Sequence, residues 1–191
     1  MVRLDKIYTR AGDGGRTRLA TGEEVAKWSL RVEAYGAVDE TNSALGVARL
    51  HAAAEPALNA VLARIQNELF DLGADLATPE RDKPLPFEAL RIQASQVTAL
   101  EGDIDRLNAD LAPLTSFILP AGNALSAHLH VARATGRRAE RVIAQLMDDP
   151  AERVSADALR YANRLSDFLF VAARWANRAE GDVLWVPGAS R

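Results

Sequence analysis

Cysteine is absent from the 191 residues, which excludes disulfides, thiolate metal sites and a cysteine nucleophile together and fits a reducing compartment. Positive charge is not in excess: 23 Lys and Arg stand against 26 Asp and Glu, a formal net charge of −3. A general nucleic-acid binder needs surplus cations to displace the counterions on phosphates, so that class is disfavoured and any anion site must be local. Histidine is scarce. His51, His128 and His130 are the three present, and they form neither an HExxH motif nor the ExxH pairs of di-iron bundles, which argues against a protein-held catalytic metal. Long apolar runs are missing too, so no segment is expected to cross a bilayer. Asp5, Asp13, Glu23 and Glu24 make the leading segment a poor secretory signal or transit peptide. The expected setting is cytoplasmic, with no membrane and no nucleic acid among the partners.

What is present is ordinary for a folded chain, 48% hydrophobic and 26% charged, and long enough to bury one core. A single domain over 1–191 is expected, with three parts. Residues 1–30 show no sustained period and hold Gly12, Gly14, Gly15 and Gly22; they read as an ordered glycine-rich loop with no strand. Residues 31–180 read as helices. Tyr35, Val38, Asn42 and Leu45 share one side of the first, and Leu58, Leu62, Ile65, Leu69, Leu72 and Leu76 stripe the second behind Pro56. Leu90 to Leu111 follows a seven-residue spacing, Leu125 to Ile143 a stripe with Ala132, Gly136 and Ala139, and Ser155 to about Ala179 another with Ala158 and Ala162. Five helices of roughly 20 to 28 residues with short links make an antiparallel bundle the economical fold, all-α. Residues 181–191 read as a short unpatterned tail after Gly181.

Three features carry chemistry. Arg3, Lys6, Arg10, Arg16, Arg18, Lys27 and Arg31 outnumber the acids of the leading segment, and Gly12-Asp13-Gly14-Gly15 could wrap backbone amides around phosphate, although it is no Walker A loop. On the fourth helix Arg133, Arg137 and Glu140 share a stripe that suits phosphate, or is a solvated face with an Arg137–Glu140 surface pair. On the fifth, Asn163, Asp167, Phe170 and Arg174 share a face, as a second ledge or satisfying one another. Asp39, on the Tyr35 side of its helix, is expected partly buried, at even odds with a solvated carboxylate, and in need of a cation from the arginine ledge. His128 is expected on the apolar side and His130 on the arginine side. Together these look like a polyphosphate site without a protein nucleophile, one that positions substrates and neutralises charge.

Five blocks occur in order: Thr9 to Leu19; Lys27…Arg31…Ala34-Tyr35-Gly36…Asp39-Glu40…Asn42; Gln66-Asn67…Leu72-Gly73-Ala74-Asp75; Phe117-Ile118-Leu119-Pro120…Arg133…Arg137-Arg138-Ala139-Glu140-Arg141; and Asn163-Arg164-Leu165-Ser166-Asp167. They resemble the motifs of ATP:cob(I)alamin adenosyltransferases of the PduO type. The resemblance implies a five-helix bundle assembled as a homotrimer. It implies ATP held between subunits, Mg²⁺ with the nucleotide, and transfer of the 5′-deoxyadenosyl group to cobalt with release of triphosphate. It assigns Thr9, Arg10, Gly12, Asp13, Gly14, Thr17 and Lys27 to ATP binding, with Arg137, Glu140 and Asn163. Catalysis falls to Arg137, Glu140, Arg133 and Asp39, the last two as an interface salt bridge. Phe117, Asp39, Arg133 and Phe170 are implied at the cobalamin, with Phe117 as the aromatic that excludes the lower axial ligand. A reductase and an adenosylcobalamin-dependent enzyme are implied as further partners. Ala11, Thr41 and Ala121 depart from the usual Thr, Leu and Gly, and Trp185 is one candidate for the C-terminal cap over the corrin. The competing reading is a non-catalytic nucleotide-binding bundle acting as a regulator or docking module.

Overall fold

The computed structural model describes residues 7–82 and 84–191, so Arg3, Asp5 and Lys6 of the leading cationic segment lie outside the described residues. Two short strands, β1 (Arg16–Arg18) and β2 (Glu24–Ala26), precede five helices: α1 (Leu30–Arg49), α2 (Pro56–Leu76), α3 (Ala94–Asn108), α4 (Ala124–Asp148) and α5 (Ala156–Ala176). Five helices match the expected bundle. The leading segment does not match: Arg16 pairs with Ala26 and Arg18 with Glu24 in an antiparallel hairpin, and Leu19 at its turn is buried. Glycine-rich punctuation hid it, since three-residue strands are too short to show a period. At 15 residues, α3 is shorter than expected. Its start at Ala94 is set by a Gln93–Gln96 capping box in which each side chain meets the other's backbone.

Long-range bonds give the helix directions. Arg31 near the start of α1 donates to the Leu76 carbonyl at the end of α2 at 2.6 Å, while Arg49 at the far end of α1 reaches Asn59 near the start of α2. Glu140 of α4 meets Asn163 of α5, and His130 meets Phe170, so these two are also antiparallel. The core is the set of stripes read from the sequence: Leu58, Leu62, Ile65, Leu72, Leu129, Ile143 and Leu169 are all sealed from solvent. Ala132, Ala139, Ala158 and Ala162 are buried, and a methyl placed on Gly136 would already touch Thr41 of α1 and Leu169 of α5. Small side chains here let α4 sit close to both neighbours, which fixes its arginine face in space.

The turn into α4 is stitched to the end of α5. Asn123 caps α4 by accepting from the Ser126 amide at 3.0 Å and donates to the Ala176 carbonyl, while buried Asn177 accepts from the Asn123 amide and donates to the Gly181 carbonyl. Gly122 sits over this knot at φ +104°, and a Cβ there would lie 2.6 to 2.8 Å from the Asn177 side-chain amide. Gly122→Ala is therefore expected to cost about 2–3 kcal/mol through strain and overpacking. Denaturant unfolding at the wild-type midpoint would show that the knot tolerates a methyl.

Candidate active site

The hairpin builds the first part of the site. Gly15 at φ +76° and Gly22 at φ +84° occupy left-handed backbone that glycine adopts without strain, so the chain doubles back and sets Lys27 over Gly12. A Cβ on Gly12 would lie 2.8 Å from the Lys27 ammonium. Thr9, Ala11, Gly12, Arg16, Thr17, Arg18 and Glu24 line a pocket of about 400 Å³ beside it, a small, hydroxyl-bearing hollow in which Glu24 pairs with Arg16 and Arg18 and Lys27 adds a cation at the edge. Asp13 and Gly14 lie exposed on its turn, and Arg10, itself at φ +62°, lies over the Tyr8 ring at 5.8 Å. Thr9, Gly12, Thr17 and Lys27 thus come together as the sequence suggested.

What holds this hollow was not read from the sequence. Arg31 is 3% exposed, and it donates to Glu152 from both Nε at 3.1 Å and Nη2 at 2.5 Å. Glu152 also accepts from Arg81, whose other nitrogen reaches Glu23 on the hairpin, and the Ala20 amide donates to the Ala77 carbonyl. Burial pushes the Glu152 carboxyl up, but the hydrogen bonds and charges of Arg31 and Arg81 outweigh it and hold it below its ordinary value.

The second part lies on α4. Arg133 and Arg137 are one turn apart, and neither meets a carboxylate among the described residues. Arg133 is half-buried with its Nε unpartnered, and burial together with the charge of Arg137 lowers its pKa. A half-buried, unpartnered guanidinium beside a second, exposed one favours an anion between or beside them. Glu140 does not pair with Arg137; it accepts from Asn163 of α5 at 2.8 Å, so the surface ion pair is replaced by a link between helices. The second ledge does not satisfy itself either. Asp167 goes to Arg164, and buried Arg174 goes to Asp182 and the Ala112 carbonyl. Arg138, on the other flank, ties α4 to Glu33 and Glu40 of α1.

The third part is a cavity of about 520 Å³ that mixes the apolar Leu114, Phe117, Ile118 and Phe170 with the polar Thr115, Ser116, His130 and Arg133. Phe117 is 78% exposed, a large apolar ring open at the mouth, and Trp185 meets it edge-on at 6.0 Å. The tail is not unpatterned: the Leu119 amide donates to the Val183 carbonyl and the Trp185 amide to the Phe117 carbonyl, each at 2.7 Å. Phe117, Arg133 and Phe170 are brought together as expected. His130 joins them on the arginine side, as expected, but it and not His128 is the packed histidine: His130 is buried at 3% exposure, while half-buried His128 stacks on His51 at 5.0 Å.

Asp39 is a second correction. It is exposed, not partly buried, and makes no ion pair among the described residues. It borders a separate, mainly apolar cavity of about 440 Å³ with Tyr35, Leu69, Phe70 and Ala74. The face of α1 that carries it points away from α4, so Asp39 and Arg133 stay apart in one chain. The hairpin pocket and the Phe117 cavity likewise share no lining residue.

Residues 7–176 match the family described as cobalamin adenosyltransferase. The chain belongs to the cobalamin adenosyltransferase family. A corrinoid adenosyltransferase from Mycobacterium tuberculosis is 48% identical over 190 residues, covering 100% of this chain and 97% of its own length. One from Bacillus subtilis is 44% identical over 181 residues, covering 92% and 89%. A solved variant of the PduO-type ATP:corrinoid adenosyltransferase from Lactobacillus reuteri, complexed with cobalamin and ATP, superposes with a TM-score of 0.86 at 41% identity, covering 95% of this chain and 97% of that one.

Within this adenosyltransferase family the three departures have local explanations. Thr41 is buried, bonds back to the Ala37 carbonyl at 2.8 Å and lies with its methyl toward Gly136, a polar residue made tolerable by its own helix. Ala121 leaves its carbonyl to accept from Ser126, and Gly122 alone supplies the positive φ of the turn. Ala11 lines the hairpin pocket without a hydroxyl, beside Thr9 and Thr17, which keep theirs.

Proposed function

We propose that the chain transfers the 5′-deoxyadenosyl group of ATP to cob(I)alamin, forming adenosylcobalamin and releasing triphosphate. The observation that carries this reading is Arg133, half-buried with its Nε unpartnered at the wall of a cavity faced by Phe117 and Phe170, with Arg137 one turn further along α4. A triphosphate suits the guanidiniums and the flat face of a corrin suits the rings. Cobalt(I) is the nucleophile: its electron pair forms the bond to C5′ as the C5′–O bond breaks, and that pair leaves on the triphosphate oxygen. The protein needs no nucleophile of its own. Arg137 neutralises the departing charge, Glu140 held by Asn163 orients the nucleotide, and the hairpin hollow with Thr9, Arg10, Gly12, Asp13, Gly14, Thr17 and Lys27 grips the phosphates. Phe117 presents hydrocarbon where a lower axial ligand would approach, which favours the reduced metal by withholding a donor.

Mg²⁺ travels with the nucleotide, whose oxygens supply the hard ligands. Among the described residues no group of three or more His, Asp or Glu is placed to hold an ion without it, so these residues fit a nucleotide-borne ion and not a resident one. No helix among them is long and apolar enough to cross a membrane; the working setting is the cytoplasm, with a reductase upstream and an adenosylcobalamin-dependent enzyme downstream.

The unit is a homotrimer. Asp39 and Arg133 each meet no ion-pair partner among the described residues of one chain, and Phe70, 71% exposed, makes the Asp39 cavity an apolar patch ready to be covered. Pairing Asp39 of one copy with Arg133 of the next joins the hairpin of one chain to the arginine helix of its neighbour and completes the site. Asp39→Asn is expected to weaken assembly and corrinoid binding more than ATP binding, read by sedimentation and calorimetric titration; the reverse order would refute the pairing. The activity itself is tested by mixing the protein with ATP and chemically reduced cobalamin. A corrin spectrum that shifts as the Co–C bond forms and reverts under light supports transfer. ATP binding with an unchanged spectrum would favour a non-catalytic nucleotide-binding regulator.

A further inference from the structure

His130 has no part in the reading above, yet it occupies an expensive position. Its ring is 97% removed from solvent, meets Phe170 edge-on at 6.4 Å, and lines the cavity that holds Phe117 and Arg133. Nδ1 is sealed off without a hydrogen-bond partner, so Nε2 is the ring nitrogen with access to the space the ring lines. Burial, and then the charge of Arg133, lower the imidazole pKa against a smaller opposing pull from Asp182; the ring is neutral at working pH. A neutral imidazole carries one N–H. Buried N–H groups without partners are rarer than buried acceptors without partners, on the pattern of backbone groups, which places the proton on Nε2. A buried polar ring costs stability unless something bonds to it.

We propose that His130 is a positioning residue for the corrinoid, donating from Nε2–H to a carboxamide carbonyl on the rim of the macrocycle. The inference rests on the cavity being the corrinoid site. A corrin is an apolar disc edged with neutral amides, and the cavity matches it with apolar rings beside polar groups: the Ser116 hydroxyl is spent on the Trp185 carbonyl, which leaves His130 as a neutral donor suited to the rim, while the phosphates of the nucleotide are served by the guanidiniums. The contact exists before and during transfer alike, so it acts on binding and not on the chemical step.

Two variants test this. His130→Phe keeps a ring against Phe170 and removes both nitrogens; His130→Gln keeps an N–H donor. The expected result is a roughly tenfold rise in KM for cob(I)alamin with His130→Phe, with kcat and KM for ATP unchanged and the unfolding midpoint of the ligand-free protein no lower than wild type, and recovery of most of the affinity with His130→Gln. Equal corrinoid KM in wild type and His130→Phe, or a folded His130→Gln as poor as His130→Phe, overturns the proposal. A corrinoid whose carboxamides are methyl esters keeps its carbonyls and loses its N–H groups. The His130→Phe penalty should persist with it, and its disappearance would make His130 an acceptor and refute donation. Direct titration with cob(II)alamin separates the two readings. A wild type that binds the corrinoid without turning it over defeats the transferase reading and leaves the His130 comparison decisive, whereas a wild type that binds none defeats both.

Discussion

Arg137→Ala is expected to lower kcat by about a hundredfold or more, the loss typical of removing one preorganised donor from a developing negative charge. The guanidinium projects from α4 with no carboxylate partner, one turn from Arg133, whose charge is already held at a cost by burial. No carboxylate among the described residues consumes its positive charge, so the field it produces is available to a triphosphate as the C5′–O bond breaks. Arg137→Lys should recover only part of the rate, because an ammonium keeps the charge and loses the planar fork. Single-turnover kinetics with saturating ATP and cob(I)alamin separate this from a binding defect. A near-wild-type rate in Arg137→Ala would remove Arg137 from the chemistry.

Glu152→Gln is expected to destabilise the fold by about 3 kcal/mol, the lower end for breaking a buried ion pair from one side, since Glu152 keeps some solvent contact. Arg31 would remain buried with its charge answered only by the carbonyls of Leu76 and Arg153. Arg81 would lose half of its bridge to the hairpin, so KM for ATP should rise along with the stability loss. The pH dependence follows from the direction of the shift. Glu152 has a folded pKa below its ordinary value of 4.5, so its contribution is complete above about that value and disappears as pH falls through the folded pKa. Denaturant unfolding of wild type and Glu152→Gln should therefore differ most near neutrality and converge as the solution is acidified below 4.5. A difference that is constant with pH would show that Glu152 acts through shape and not charge.

The amino-acid sequence by itself determined the number of helices, their order and the main apolar stripe of each, because a stripe such as Leu58, Leu62, Ile65, Leu69 and Leu72 repeats within one segment and needs no partner to be seen. It also determined the chemistry of the site, since a glycine-rich cationic stretch and arginines one helical turn apart are local facts. Tertiary structure alone decided which of those residues meet. Arg31 and Glu152 are 121 positions apart, and no period links them. His128 and His130 lie on opposite sides of one helix, and which side faces the interior depends on where α1 and α5 close on α4 through Thr41, Gly136 and Leu169. Asp39 and Arg133 each read as a charge in need of a partner, but the packing of α1 against α4 turns them to different faces. A side chain's type is written in the chain, whereas its neighbours are set by how separate helices pack, and that packing depends on contacts between residues far apart in sequence.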